Sequence, residues 1–225
     1  MKSLAVALGR RLVRHGRRKL VLLAVLPALF CLGYFTLQHV TLFAPTTFPL
    51  TALDRAIEFA PHWIYAYQSL YLLMPIAPLL ATRRAQLDRY TEGFWWLAAA
   101  GFLIFLCYPV ASPRPDGMTG VAAFDLLTSF EGKLNAFPSL HAGLLTYSLI
   151  FARWAFPSEI STPLGRALFF SGLLWGGAIL YATLATKQHY AVDLPAGIVL
   201  AWLSHHGSGY TIRLRRSESH ERATC

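Results

Sequence analysis

Two short polar groups interrupt an otherwise apolar chain: Phe137-Pro138-Ser139-Leu140-His141-Ala142-Gly143, and later His189-Tyr190-Ala191-Val192-Asp193. Ionisable groups beside hydrocarbon are costly and mark functional sites by default. A histidine can attack or move a proton, and its tautomer is set by the partner of its other ring nitrogen. His189 and Asp193 are four residues apart, which predicts one helical face and a carboxylate that orients the imidazole. Pro138 suits a first helical turn. Ser139 and the following amides would then stand at a positive helix end, a seat for phosphate. Arg114, in Ser112-Pro113-Arg114-Pro115, offers a planar fork for phosphoryl oxygens. His141, His189 and Asp193 could also ligate a metal, but Ser139 and Arg114 beside them fit phosphate better, so neither metal nor cofactor is expected.

These residues need elements to bring them together, and the composition says which. The chain has 225 residues, 55% hydrophobic and 14% charged, with a mean hydropathy of +0.44. Soluble domains carry about 25% charged residues, so an all-α polytopic membrane protein is expected. Windows without charge lie at 20–40, 59–82, 93–113, 134–152 and 167–186, with a sixth at 194–212. About 20 apolar residues cross a bilayer as a helix, which predicts six transmembrane helices and both termini on one side. The first window is too long for the apolar core of a signal peptide and is read as a retained span. Cys31, Cys107 and Cys225 show neither metal spacing nor a disulfide framework and are read as packing thiols.

The net charge of +9 would suit nucleic acid, but its placement speaks for topology. Of the 20 Lys and Arg residues, 16 fall in 1–20, 83–92, 153–166 and 213–225; the other side has Arg55, Arg114, Lys133 and Lys187. By the positive-inside rule both termini are cytoplasmic, and no nucleic-acid partner is expected. Basic tails at 1–19 and 207–225 then flank a membrane domain at 20–206. All the candidate site residues fall on the opposite, non-cytoplasmic face. There Thr51-x-x-Asp54 predicts a helix start. Phe124, Leu127, Phe130, Leu134 and Phe137 recur at three- and four-residue steps, as for an interfacial helix or one packed on neighbouring spans. His39, His62, His205 and His206 are read as interfacial residues without a chemical role.

The motif pair resembles the type 2 phosphatidic acid phosphatase superfamily, and is most similar to the branch holding the aureobasidin-resistance proteins, the fungal inositol phosphorylceramide synthases. The resemblance covers roughly residues 93–205. It implies a lipid phosphate or phospholipid substrate and a phosphohistidine intermediate. His189 would be the nucleophile and Asp193 its orienter, and His141 would protonate the leaving oxygen and then activate the acceptor. Arg114 and Ser139 would hold the phosphoryl oxygens, with backbone help near Gly143. The superfamily pattern has Lys where Cys107 stands and Ser-Arg where Ala182-Thr183 stand, so two pocket cations are missing, and Lys187 or Lys133 is expected to replace part of that charge. Water as acceptor would make a phosphatase and an alcohol a phosphotransferase, in a cell membrane. The competing expectation is a non-catalytic lipid transporter or scaffold that kept the fold.

Overall fold

The computed structural model describes residues 9–223, with side chains through residue 208. Its elements are α1 (Gly16–Leu37), α2 (Ala52–Ala56), a 3₁₀ turn (Pro61–Trp63), α3 (Ile64–Gln68), α4 (Leu70–Leu73), α5 (Ile76–Leu80), α6 (Arg84–Cys107), α7 (Ala122–Phe130), α8 (Leu140–Ala155), α9 (Pro157–Ile160), α10 (Pro163–Ala185) and α11 (Asp193–Ala223). Among the described residues there is no strand, only an isolated parallel bridge between Thr46 and Val110.

Helices α1, α6 and α10 are each long and apolar enough to cross a membrane. They extend past the charge-free windows: α6 begins at Arg84 and takes in Asp88, Arg89 and Glu92. A window without charge stops where the chain leaves hydrocarbon, whereas backbone hydrogen bonding continues into polar surroundings. Helix α8 has 16 residues, about 24 Å of rise, less than the roughly 30 Å hydrocarbon thickness.

Window 59–82 is not one helix but the string α3–α5. Pro75 and Pro78 lack the N–H that would continue the ladder. The Met74 carbonyl, four residues before Pro78, accepts from the Tyr90 hydroxyl instead (3.2 Å). At the Ser69 break the hydroxyl donates to the Ala66 carbonyl (2.6 Å) and accepts from Trp175 Nε1 (2.7 Å). Buried breaks are tolerated because side chains of neighbouring helices satisfy the freed groups.

The interior is built on α6, α8 and α11, where Phe94, Leu97, Phe105, Leu145, Tyr147, Phe151 and Ala201 form one buried cluster. Leu20, Leu32, Leu168 and Leu174 on α1 and α10 stay exposed, as expected of helices facing lipid. Cys31 and Cys107 are also exposed, so they do not pack inside as expected; Cys225 lies outside the described residues.

The expected helix start at Thr51 is present. The Thr51 hydroxyl accepts from the Asp54 amide (3.2 Å) and the Asp54 carboxylate takes the Thr51 amide (2.8 Å), a reciprocal cap. The apolar stripe of 124–137 divides. Phe124 is buried against Ile64, Tyr67 and Ala182, Phe130 is exposed, and α7 ends there. Phe137 instead joins Phe48, Val110, Ala136 and Tyr190, because the chain bends at Lys133 and takes positive φ at Asn135.

The helices α8 and α11 approach each other closely at their N-terminal ends. A Cβ on Gly197 would lie 2.1 Å from the Ser139 carbonyl oxygen, and one on Gly143 would lie 3.3 Å from the Gly197 oxygen. Gly197→Ala is therefore expected to lower stability by about 1–3 kcal/mol, the cost of overpacking. Gly177→Ala, with nothing within 4 Å of its Cβ, should be neutral or stabilising. Thermal unfolding of the two variants in one detergent checks this, and equal melting temperatures would contradict it.

Candidate active site

The site lies where several helix ends meet: the C-terminal ends of α1, α6 and α10 and the N-terminal ends of α8 and α11. Ser139 caps α8, its hydroxyl accepting from the Ala142 amide (3.2 Å), and the residue is fully buried. The helix starts at Leu140, so Pro138 precedes the cap and does not occupy the first turn as expected. The Ser139 amide donates to the Asp193 carbonyl (3.1 Å), which joins the two signatures through the backbone. The Ser139 hydroxyl can still donate, and the first amides of α8 lack intrahelical acceptors.

His189 is not on α11. It sits in the turn after α10, where Lys187 takes positive φ, and the Gln188 and His189 amides both donate to the Thr183 carbonyl (3.1 and 3.3 Å). The expected helical i, i+4 pair is thus replaced by a turn, with Asp193 the first residue of the helix. Asp193 Oδ2 accepts from the Tyr190 amide (2.7 Å) and lies 3.5 Å from His189 Nδ1. The closer partner of Nδ1 is the Ala136 carbonyl, at 2.8 Å. A carbonyl only accepts, so Nδ1 carries the hydrogen and Nε2 keeps its lone pair. The backbone of Ala136 therefore shares the orienting role expected of Asp193 alone.

The Ala136 carbonyl is itself held in place. The Thr46 amide donates to the Pro109 carbonyl (3.0 Å), the Ala111 amide to the Thr46 carbonyl (2.8 Å), the Ala136 amide to the Val110 carbonyl (3.1 Å), and the Ser112 amide to the Lys133 carbonyl (2.8 Å). Three connecting segments are thereby laced side by side beneath His189.

His141 projects from the first turn of α8. Its ring stacks on Tyr67 (centroids 3.8 Å apart, planes at 22°), and its centroid lies 6.0 Å from that of His189. His141 Nε2 is buried without a protein partner. Arg114 is buried, with Nη1 donating to Gln188 Oε1 (3.3 Å) and Nη2 to the Glu131 carbonyl (2.8 Å). His141, His189, Asp193, Ser139 and Arg114 are thus gathered at one end of the bundle.

Two predicted residues have other engagements. Lys187 Nζ donates to the Asp54 carbonyl (2.6 Å) and to that of Ile57, because the left-handed turn sends its side chain towards α2. The Gly143 amide donates to the Ser139 carbonyl (2.9 Å), and its missing side chain lets α8 approach α11 and Leu97. Lys133 pairs with Asp116 at 2.7 Å, and this ammonium lowers the Asp116 carboxyl below its usual range.

Residues outside the two signatures complete the setting. Tyr67, Glu131 and Tyr34 belong to no recognisable spacing; Gln188 had a signal in its place beside His189, and Asp54 in the Thr51-x-x-Asp54 helix start. Asp54 is buried and grips the histidine turn: Oδ1 accepts from the Ala191 amide (2.8 Å) while Oδ2 holds Thr51. Burial acts to raise its pKa, but the bonds from Thr51 and Ala191 and the Lys187 charge together hold it below the usual carboxylate value.

A depressed carboxyl adds stability above its unfolded pKa and loses it as pH falls through the folded value. Asp54→Asn should therefore cost roughly 1–3 kcal/mol near neutral pH. The difference from wild type should shrink as the pH falls below the usual carboxylate range. Melting curves of both proteins across acid pH check this; a gap that stays constant would show that the charge of Asp54 is not what holds the turn.

The profile of the PAP2 superfamily matches residues 39–206. The catalytic subunit of inositol phosphorylceramide synthase, AUR1, of Saccharomyces cerevisiae is 30% identical over 104 residues, which is 46% of this chain and 24% of that protein. The chain thus matches about a quarter of the length of that curated relative. No solved structure matches the chain.

Proposed function

The chain belongs to the PAP2 superfamily, and from that premise we propose that it is an integral-membrane enzyme transferring a phosphoryl or substituted phosphoryl group from a lipid through His189. The observation that carries this reading is the bond from His189 Nδ1 to the Ala136 carbonyl, which leaves Nε2 as the nucleophile. Nε2 attacks phosphorus and the bond to the leaving oxygen breaks, while His141 gives that oxygen a proton. His141 then takes a proton from the acceptor hydroxyl, whose oxygen displaces the imidazole and regenerates His189. Asp193, 3.5 Å from Nδ1, stabilises the charge that develops on the ring. Arg114 and Ser139 hold the phosphoryl oxygens, with the positive ends of α8 and α11 behind them. Lys187 and Gly143 support the site from outside the pocket, through the turn and the helix crossing. No metal or cofactor is invoked.

The reading includes six passes with both termini cytoplasmic, the catalytic domain over 20–206 and the basic tails on either side. Its support is the alternation of ends: α1, α6 and α10 finish at the site, and 61–80, α8 and α11 begin there. The opposite end collects the charged ties, Arg11 with Glu159 and Arg18 with Asp88, and Arg89 stacked 4.2 Å from the Trp154 ring. By the positive-inside rule, the excess of Lys and Arg in the segments on that side supports a site on the non-cytoplasmic face of a cell membrane. Similarity to a lipid phosphotransferase favours an alcohol acceptor over water.

The test uses purified protein with labelled phosphatidic acid, an isoprenoid diphosphate, and phosphatidylinositol plus a lipid alcohol. Wild type should release phosphate or transfer a head group, and should form an acid-labile, base-stable phosphoenzyme. His189→Ala should lose both, with turnover down by more than about 10³-fold. Turnover by His189→Ala equal to wild type would overturn the mechanism. Absence of turnover and of phosphoenzyme in wild type would favour a transporter or scaffold.

A further inference from the structure

Glu131 belongs to neither signature, yet its carboxyl lies inside the site. It follows α7 and is 7% exposed. Oε1 accepts from the Tyr34 hydroxyl (2.8 Å), while Oε2 is buried without a partner. Its own carbonyl takes Arg114 Nη2. Its carboxyl is within electrostatic reach of Arg114 and His189, and of Tyr67 and Tyr71, whose rings lie against His141. The groups facing it are therefore Tyr34 from α1, Tyr67 and Tyr71 from the 61–80 segment, Arg114 from the connection after α6, and His189 from the turn before α11.

The charge balance decides which form of this carboxyl suits the site. Arg114 and His141, protonated for its role as the acid, each contribute one positive charge, and Asp193 contributes one negative charge. Lys187 is taken up by the Asp54 and Ile57 carbonyls and Lys133 by Asp116. Cys107 and Thr183 supply no cation at the positions where the superfamily pattern has Lys and Arg. An ionised Glu131 would cancel the net positive charge of the set where a phosphate anion must bind. As a neutral acid it preserves that charge and turns Oε2 into a donor, while Oε1 still accepts from Tyr34. Carboxylic acids kept neutral in apolar sites act as such donors elsewhere. Burial, the largest influence on this carboxyl, pushes its pKa above the usual range despite the opposing effects of Tyr34, Arg114 and His189.

We propose that Glu131 is a protonated carboxylic acid that donates a hydrogen bond from Oε2 to a non-bridging oxygen of the phosphoryl group held by Arg114. The proton stays on Glu131 throughout. The inference rests on the phosphotransfer reading above.

The full chain is tested in nanodiscs as wild type, Glu131→Gln, Glu131→Ala and His189→Ala. Glutamine keeps a donor where the acid has one and cannot ionise. Glu131→Gln should therefore keep activity within a few-fold and flatten the loss of activity at alkaline pH, where the wild-type acid ionises. Glu131→Ala should lose about 100-fold or more, as when one donor to a developing oxyanion is removed. The infrared spectrum of wild type minus Glu131→Gln should contain a protonated-carboxyl C=O band at neutral pH. Inorganic phosphate should raise the melting temperature of wild type and Glu131→Gln, and less so that of Glu131→Ala. A folded Glu131→Gln as impaired as Glu131→Ala, a carboxylate band in place of the acid band, or equal phosphate stabilisation of all three would overturn the proposal. Wild-type turnover by His189→Ala would instead overturn the phosphotransfer reading, and the infrared and phosphate measurements would still decide the state of Glu131.

Discussion

The approach of α8 to α11 at Ser139 and Gly197 constrains everything else at the site. There a carbonyl oxygen occupies the place where any side chain on residue 197 would begin. The same contact brings the Ser139 amide to the Asp193 carbonyl. Two helix N-termini, each with positive partial charge from unpaired amides, are thereby held side by side. One presents Ser139 and His141 and the other Asp193. A larger residue at 197 would separate the two signatures without touching a chemical group.

The histidine turn is fixed by backbone as much as by side chains. Thr183 holds it from α10, Ala136 holds the ring of His189, and Asp54 and Lys187 tie it to α2. Peptide groups suit this task because they have no rotamers to lose on ordering. They also carry no net charge into a buried setting, where charge is costly to bury. The result is a loop with the rigidity of a packed element, carrying an imidazole with one defined tautomer.

The bundle separates two kinds of polar interaction by depth. At the end away from the histidines, charged pairs and an arginine–tryptophan stack join the helices. At the site end, Gln38, Glu131, Asn135, Gln188, Asp193 and His141 each keep a buried polar atom without a protein partner. Native interiors rarely leave such atoms unmatched, and their concentration around one arginine and two histidines fits a place built to receive a polar group. Between the ends, the aromatic and aliphatic cluster of α6, α8 and α11 provides packing alone.

The class of the molecule is legible from the residues alone: helical, with segments apolar enough to cross a membrane, and with His141, His189, Asp193, Ser139 and Arg114 singled out as one group. Composition, charge placement and motif spacing are local or summed quantities, so one chain suffices to read them. The capping box at Thr51 and Asp54 was legible for the same reason, since both partners lie within four residues. What the sequence did not disclose was how distant groups share an atom. The Ala136 carbonyl on His189, the Asp54 carboxylate on Ala191, the stacking of Tyr67 on His141 and the burial of Glu131 beside Arg114 join segments far apart in sequence. The partners of Lys187 and Gly143 belong here too, because a left-handed turn and a helix crossing set where an ammonium and an amide point. Tertiary structure alone decided these matters, because hydrogen bonds and burial depend on distances in space, which a one-dimensional spacing fixes only within a single turn of helix.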